Sequence, residues 1–242
     1  MMRLISQSRN GLKIMEIYKL SDKIDEKSSK SSDDSEILKI TDLKQGVKNP
    51  DRVNVFVNDD FAFSLDVAQV VDLKIKKGRI ITEEELVELT KASEFGKLYQ
   101  RTLEWVLMRP RSVRETSDYL SKKIFEKKLD NSFLKIIIEK LEKKNYLDDY
   151  RFAKWYIGNR FFKKGVSSKR LKMELFKKGI SKEIIEQVLV DSDRDDVSEI
   201  KKVILKKRSK YPDDEKLISY LCRQGFPFEL SREMVLESSE MD

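Results

Sequence analysis

The chain has 242 residues, 39% of them hydrophobic and 38% charged, with a formal net charge of +7, no histidine and a single cysteine, Cys222. An intrachain disulfide and any histidine-based metal or acid–base site are excluded, and no apolar run approaches the roughly 20 residues that span a bilayer. Thin apolar content with only eight glycines and four prolines predicts long helices, short loops and small cores, in a monomeric cytoplasmic protein with Cys222 as a small buried hydrophobe.

Residues 1–36 are expected to form a disordered tail. The first fifteen carry Arg3, Arg9 and Lys13 and no acid, which faintly resembles a transit peptide; they lack the continuous apolar core of a secretory signal, and Met15 is an alternative initiator. The run SDKIDEKSSKSSDDS at 21–35 has no apolar periodicity and cannot bury enough surface to offset its ordering entropy.

From Ile37 the pattern turns to period two. Ile37, Leu38 and Ile40 open an extended segment; Val53, Val55 and Val57 form one alternating run and Phe61, Phe63 and Leu65 another. Asn58-Asp59-Asp60 between the last two is a hairpin turn. A lone hairpin would be marginal, so it is expected to recruit the first strand or pack on the next helix. Asp66 caps a short helix through Leu73, Gly78 breaks the chain, and Thr82 with Glu85 forms a capping box for a helix expected to end near Ala92.

Beyond it the sequence repeats. Leu120, Leu175 and Leu221 superpose as one position; eight residues before each lies a capping side chain, Ser112, Ser167 or Asp213. Four residues after each lies Ile124, Gly179 or Gly225, where a helix would stop. Helices flank each of these: Lys97–Met108, Asp149–Phe162 and Asp195–Lys210 before, and Asn131–Lys143, Ser181–Val190 and Pro227–Leu236 after. The expected fold is mostly α: three tandem three-helix repeats in an elongated curved array, behind a small N-terminal β-hairpin and short-helix region. The expected divisions are 1–36, 37–95, 96–147, 148–191 and 192–242.

Catalytic signals are missing. No phosphate-binding GxxxxGK[ST] loop occurs, and without histidine no Ser–His or Cys–His pair can form. The pair Asp148-Asp149 precedes an apolar helix and is read as a helix cap rather than a magnesium site. Trp105 and Trp155 fall on apolar helical spacing and are read as core; Phe161-Phe162 is also aromatic enough for base stacking. No catalytic residue, metal or cofactor is assigned.

The charge is uneven. Residues 97–190 hold 24 Lys and Arg against 12 Asp and Glu, a net of +12, and the remainder of the chain carries a net of −5. Arg160, Lys163, Lys164, Lys169, Arg170 and Lys172 cluster around one connector; Lys177, Lys178, Arg109, Arg111, Arg114, Lys122 and Lys123 repeat the theme. Bases at a helix end merely complement its dipole, whereas Arg111, Arg114, Lys169 and Arg170 open helices and oppose it. All thirteen are therefore candidate contacts for a polyanion or an acidic protein surface.

Tyr146-Leu147-Asp148-Asp149 with Phe152-Ala153 and Arg160, then Leu175 and Lys178-Gly179-Ile180, resemble the RecX family of recombination regulators. Arg109-Pro110-Arg111-Ser112 with Tyr119-Leu120, and Phe61-Ala62-Phe63 with Leu73 and Lys77-Gly78, are similar to it as well. The resemblance covers about residue 37 to the C-terminus. It implies tandem three-helix repeats and a non-enzymatic protein that lies along the groove of the RecA–single-stranded DNA filament and inhibits or remodels RecA ATP hydrolysis and strand exchange. The strand would be touched either directly or only through RecA. By the same analogy Arg160, Lys163, Lys164, Lys169 and Arg170 face the filament. The competing expectation is a direct DNA-binding protein of helix-turn-helix type, although no repeat has an evident base-reading helix rich in Arg, Asn and Gln.

Overall fold

In the computed structural model, residues 37–47, 49–160, 165–192 and 194–239 are described, the side chain of Arg160 excepted. The tail expected over 1–36 and the aromatic pair Phe161-Phe162 lie outside the described residues. Two compact units divide at Tyr99 and Gln100.

The first unit is built on an antiparallel sheet of β1 (Leu38–Gln45), β2 (Arg52–Val57), β3 (Asp60–Asp66) and β4 (Ile80–Ile81), in the order β3-β2-β1-β4. Asn58 and Asp59 both take positive φ, 49° and 69°, the conformation that lets a two-residue turn follow the twist of its strands. Val57 thereby pairs with Asp60, and Val55 with Phe63. Ile40, Val55, Val57, Phe63 and Leu65 pack with Ile75, Ile81 and Leu89 into one core. The first strand is recruited as expected; the two-residue β4 carries too short a pattern to be seen in the sequence.

Asp66 caps α1 (Val67–Asp72), accepting from the Gln69 amide at 2.7 Å, and the Gln69 side chain answers by accepting from the Asp66 amide at 3.1 Å. The reciprocal box expected at Thr82 and Glu85 is only half made. Thr82 Oγ1 accepts from the Glu85 amide at 3.2 Å, but the Glu85 carboxylate is taken by Arg79.

The helix that follows, α2 (Glu83–Leu107), corrects the expected end near Ala92: it continues for 25 residues through Ser93, Glu94, Phe95 and Gly96. None of those four forces a stop; Phe95 is buried, and Ser93 and Gly96 make close contacts with earlier elements. Ser93 Oγ donates to the Ser64 carbonyl at 2.6 Å and accepts from the Ser64 amide at 3.3 Å, while Gly96 leaves room for the Gln69 side chain.

The second unit holds the end of α2 and eight more helices among the described residues: α3 (Val113–Lys127), α4 (Ser132–Lys143), α5 (Asp149–Arg160), α6 (Ser168–Lys177), α7 (Lys182–Val190), α8 (Asp196–Lys207), α9 (Asp214–Arg223) and α10 (Phe228–Ser239). They group in threes, and the helical class with strands confined to the N-terminal unit is as expected. Phe152, Ala153, Ile157, Leu175, Ile180, Ile185 and Val188 form the core of the second repeat; Ile200, Val203, Ile204, Leu217, Leu221, Phe226, Met234 and Val235 form that of the third.

The central helices start on the expected caps: Ser112, Ser167 and Asp213 accept from the Glu115, Arg170 and Lys216 amides. Two stop on the expected glycines, Gly179 and Gly225, at φ of 84° and 93°. The first runs one turn further than the superposition predicts. Ile124 stays inside α3, and Lys128 takes the left-handed turn at φ 52°. The closing bonds show the equivalence: Leu129 N donates to Ile124 O as Ile180 N does to Leu175 O and Phe226 N to Leu221 O. No helix among the described residues is long and apolar enough to cross a membrane.

Candidate partner-binding surface

The joints between repeats decide which charges remain free. Ser112 Oγ donates to the Lys178 carbonyl at 2.9 Å, and Ser167 Oγ, 55 positions later by number, donates to the Gln224 carbonyl at 2.8 Å. Each serine therefore caps its own helix and also satisfies a carbonyl left open at the end of the matching helix one repeat on. The next repeat answers with an acid. Asp149 Oδ1 accepts from the Val113 amide at 2.9 Å, and Asp196 Oδ1 from the Ser168 amide at 2.8 Å.

This settles Asp148 and Asp149. Asp148 caps its own helix, accepting from the Arg151 amide at 3.0 Å, while Asp149 caps the preceding repeat's α3. Both are caps as expected, but of different helices. Burial, and less strongly the charge of Asp148, pushes the Asp149 carboxyl above its ordinary value despite the Val113 bond. Among the described residues no three His, Cys, Asp or Glu side chains gather as metal ligands.

The same joints consume several candidate bases. Glu115 lies 3.1 Å from Arg109 and 2.8 Å from Lys178. Burial pushes its carboxyl up, but the hydrogen bonds and charges of Lys178 and Arg109 outweigh that and hold it below the usual range. Arg170, at the position equivalent to Glu115, donates to Gln224 Oε1 at 2.6 Å and to Glu174 at 3.3 Å. Arg111 lies with its guanidinium carbon 3.8 Å from the Trp105 ring centre, and the far face of Trp105 stacks on Tyr119 at 4.4 Å. Arg109 covers Trp155 at 5.3 Å. Both tryptophans are half-buried under arginine rather than in the deep core expected for them, and Cys222 is likewise half-buried.

Of the other sequence candidates, Lys123 pairs with Glu126 at 2.8 Å and Lys122 only at 3.9 Å. Arg114 packs its stem against the site of Gly179, where a Cβ would come within 2.6 Å of it. Lys163 and Lys164 lie outside the described residues, and Arg160 closes α5. Lys169, Lys172 and Lys177 stand exposed on α6 and form no ion pair with any described residue.

Sequence reasoning missed the apolar side chains between those lysines. Met173 is 52% exposed and Phe176 68% exposed, and with Lys169 and Lys172 they fall at i, i+3, i+4 and i+7, a single outward stripe of α6. On α3 the corresponding outward row is Arg114, Asp118, Ser121, Lys122 and Phe125, the last 85% exposed. The signal was in the sequence: Met173 and Phe176 lie off the face marked by Leu171 and Leu175, which α6 buries.

Tandem three-helix repeats joined cap to tail, behind a strand-built N-terminal unit, define an α-helical repeat protein. Residues 38–82 match the domain described as "Regulatory protein RecX N-terminal domain", and residues 148–189 the one described as "RecX, second three-helix domain". A Regulatory protein RecX from Clostridium perfringens (strain SM101 / Type A) is 31% identical over 206 residues, covering 81% of this chain and 94% of its own length. The chain belongs to the RecX family of regulatory proteins. Another relative of that name, from Bacillus pumilus (strain SAFR-032), is 30% identical over 198 residues, covering 79% of this chain and 74% of its own. The fold matches a crystal structure of regulatory protein RecX with a TM-score of 0.67 at 21% identity, over 83% of this chain and 99% of that one. It also matches RecX from Lactobacillus salivarius, with a TM-score of 0.52 at 23% identity, over 60% and 97%.

Proposed function

We propose that this protein is a non-enzymatic cytoplasmic regulator of homologous recombination and DNA repair that binds the RecA–single-stranded DNA filament and inhibits RecA ATP hydrolysis and strand exchange. The observation that carries the proposal, beside family membership, is the outward stripe of α6. Lys169 and Lys172 form no ion pair with any described residue, while Met173 and Phe176 stay exposed. Exposed aromatic and Met side chains within a basic surround are what a protein interface uses as anchors, with the charges speeding encounter with an acidic surface. Phe125, on α3, would extend the contact to a second repeat.

Arg170 and Lys178 contribute instead to the joints between repeats, Arg170 through Gln224 and Lys178 through Glu115. The test is RecA-catalysed ATP hydrolysis on single-stranded DNA, with this protein added from sub-stoichiometric to equimolar amounts. Inhibition is expected, and it should weaken about tenfold in K169E/K172E and in F176S, consistent with loss of an interface anchor, with helix content by circular dichroism unchanged. Absence of inhibition by the unaltered protein, together with tight sequence-specific duplex binding, would instead favour the helix-turn-helix alternative.

A further inference from the structure

A second basic feature lies apart from the α6 stripe. Between the end of α2, the start of α3, the end of α4 and the start of α5 is an open cavity of about 380 Å³. Four bases line it, Arg109, Arg111, Lys144 and Arg151, against one acid, Asp148. The acid is already engaged at the Arg151 amide. Of the bases, Arg109 alone pairs with an acid among the described residues, Glu115, which it shares with Lys178. Arg151 reaches only the Asn145 carbonyl, at 3.4 Å.

Arg111 marks the site most clearly. Its Nε is buried yet has no hydrogen-bond partner among the described residues. Burial, and then the neighbouring charge of Arg109, pulls its pKa below the ordinary guanidinium value. A buried donor left unmade is costly, and stacking on Trp105 fixes the plane of the guanidinium without supplying an acceptor.

We infer that this cavity binds a phosphodiester of a single nucleic-acid strand. A lone carboxylate would answer only one of the charges gathered there. A phosphodiester presents two non-bridging oxygens to the planar Arg111 fork, and its neighbours along a strand place further charge near Lys144 and Arg151. Leu107, exposed at the rim, and Tyr146, also partly exposed there, offer apolar surface to sugar or base. The inference deepens the proposed function by assigning direct contact with the strand, and it uses Lys144 and Arg151, which the α6 stripe does not involve.

The test uses the full chain and a fluorescein-labelled thymidine oligomer, with anisotropy read across a range of salt concentrations. In K144A/R151A, binding should fall at least about tenfold and the salt dependence should shrink by about 1.4 in log–log slope, two phosphate contacts at about 0.7 each for single strands. A charge-matched control, K135A/K182A, should bind like the unaltered protein. Because Arg151 also holds the Asn145 carbonyl, K144Q is measured beside it: the Lys144 side chain forms no hydrogen bond or ion pair with any described residue, and the change should weaken binding while moving the urea midpoint by no more than the loss of one charge at the end of α4. Inorganic phosphate is added as a competitor to separate a strand from a free phosphate. Displacement only at far higher concentration supports the strand, while displacement at matching concentration overturns it. If the pocket variants retain the affinity and slope of the control, the site is wrong.

RecA ATPase assayed with the same proteins keeps the two proposals apart. Failure of the unaltered protein to inhibit RecA sinks the proposed function and leaves a pocket-dependent oligomer affinity standing. Inhibition with no pocket dependence of oligomer binding sinks the pocket alone.

Discussion

Ser167 and Gln224, 57 residues apart, are held by one hydrogen bond at 2.8 Å from the serine hydroxyl to the glutamine carbonyl. The hydroxyl also accepts from the Arg170 amide at 3.2 Å, so one side chain begins α6 and closes α9. Replacing Ser167 with alanine removes a helix cap and leaves a carbonyl unanswered, a loss of about 1–2 kcal/mol. Aspartate is the more informative change. It restores the cap but aims an acceptor at the Gln224 carbonyl, so S167D should be no more stable than S167A in urea unfolding. A full recovery by aspartate would show that the joint contributes nothing.

Gly225 turns the chain at φ 93°, and a Cβ there would meet Ser167 Oγ at 2.7 Å. Gly78, at φ 88°, has nothing within 4 Å of its own added Cβ. Both pay the left-handed cost of alanine, about 1 kcal/mol, but only G225A also presses on a joint. G225A should therefore unfold at lower urea than G78A.

The joints respond to acid in opposite senses. Glu115 has a depressed folded pKa, so its contribution is complete above the unfolded value and disappears as pH falls through the folded one. Asp149 has a raised folded pKa, so the folded state holds its proton more tightly and is favoured as pH falls toward the unfolded value. E115Q should flatten the loss of stability in acid. D149N can still accept from the Val113 amide, and it should make that loss steeper by removing the opposing term. Urea midpoints between neutral pH and the carboxylate range check both slopes.

Glu199 is 3% exposed and accepts from the Val166 amide at 3.0 Å while pairing with Arg194 at 2.7 Å and Lys202 at 2.8 Å. Truncation to alanine leaves a buried amide and a mostly covered guanidinium without their carboxylate, a cost of about 3 kcal/mol. E199Q keeps an acceptor for Val166 and should lose less. Equal losses in thermal unfolding would mean that charge, not the Val166 bond, accounts for the effect.

The repeats were legible because their central helices are marked locally: a serine or aspartate starts each one, and a glycine ends the second and third. The first repeat misled because Lys128 takes a left-handed turn that glycine signals elsewhere. The break expected near Ala92 failed because Ser93 and Gly96 are packing residues, chosen for contacts with Ser64 and Gln69 rather than for chain direction. Charge was the least legible feature. Lys178 reads as a free base until Glu115, 63 positions earlier, is brought to it. Arg111 opposes its own helix dipole, yet the Trp105 ring that carries it sits on another helix.

The third repeat carries Asp213 where the first two carry Ser112 and Ser167. An ionised carboxylate has no proton to give. It can start α9, and it does so through the Lys216 amide at 2.9 Å, but it cannot clasp the carbonyl of a further helix. A carbonyl brought to α9 in that geometry would meet repulsion where the internal joints have a bond, so the third repeat offers no counterpart of the clasp that Ser112 and Ser167 provide. By the same logic, D213S is the change that would give the third repeat the donor the first two share.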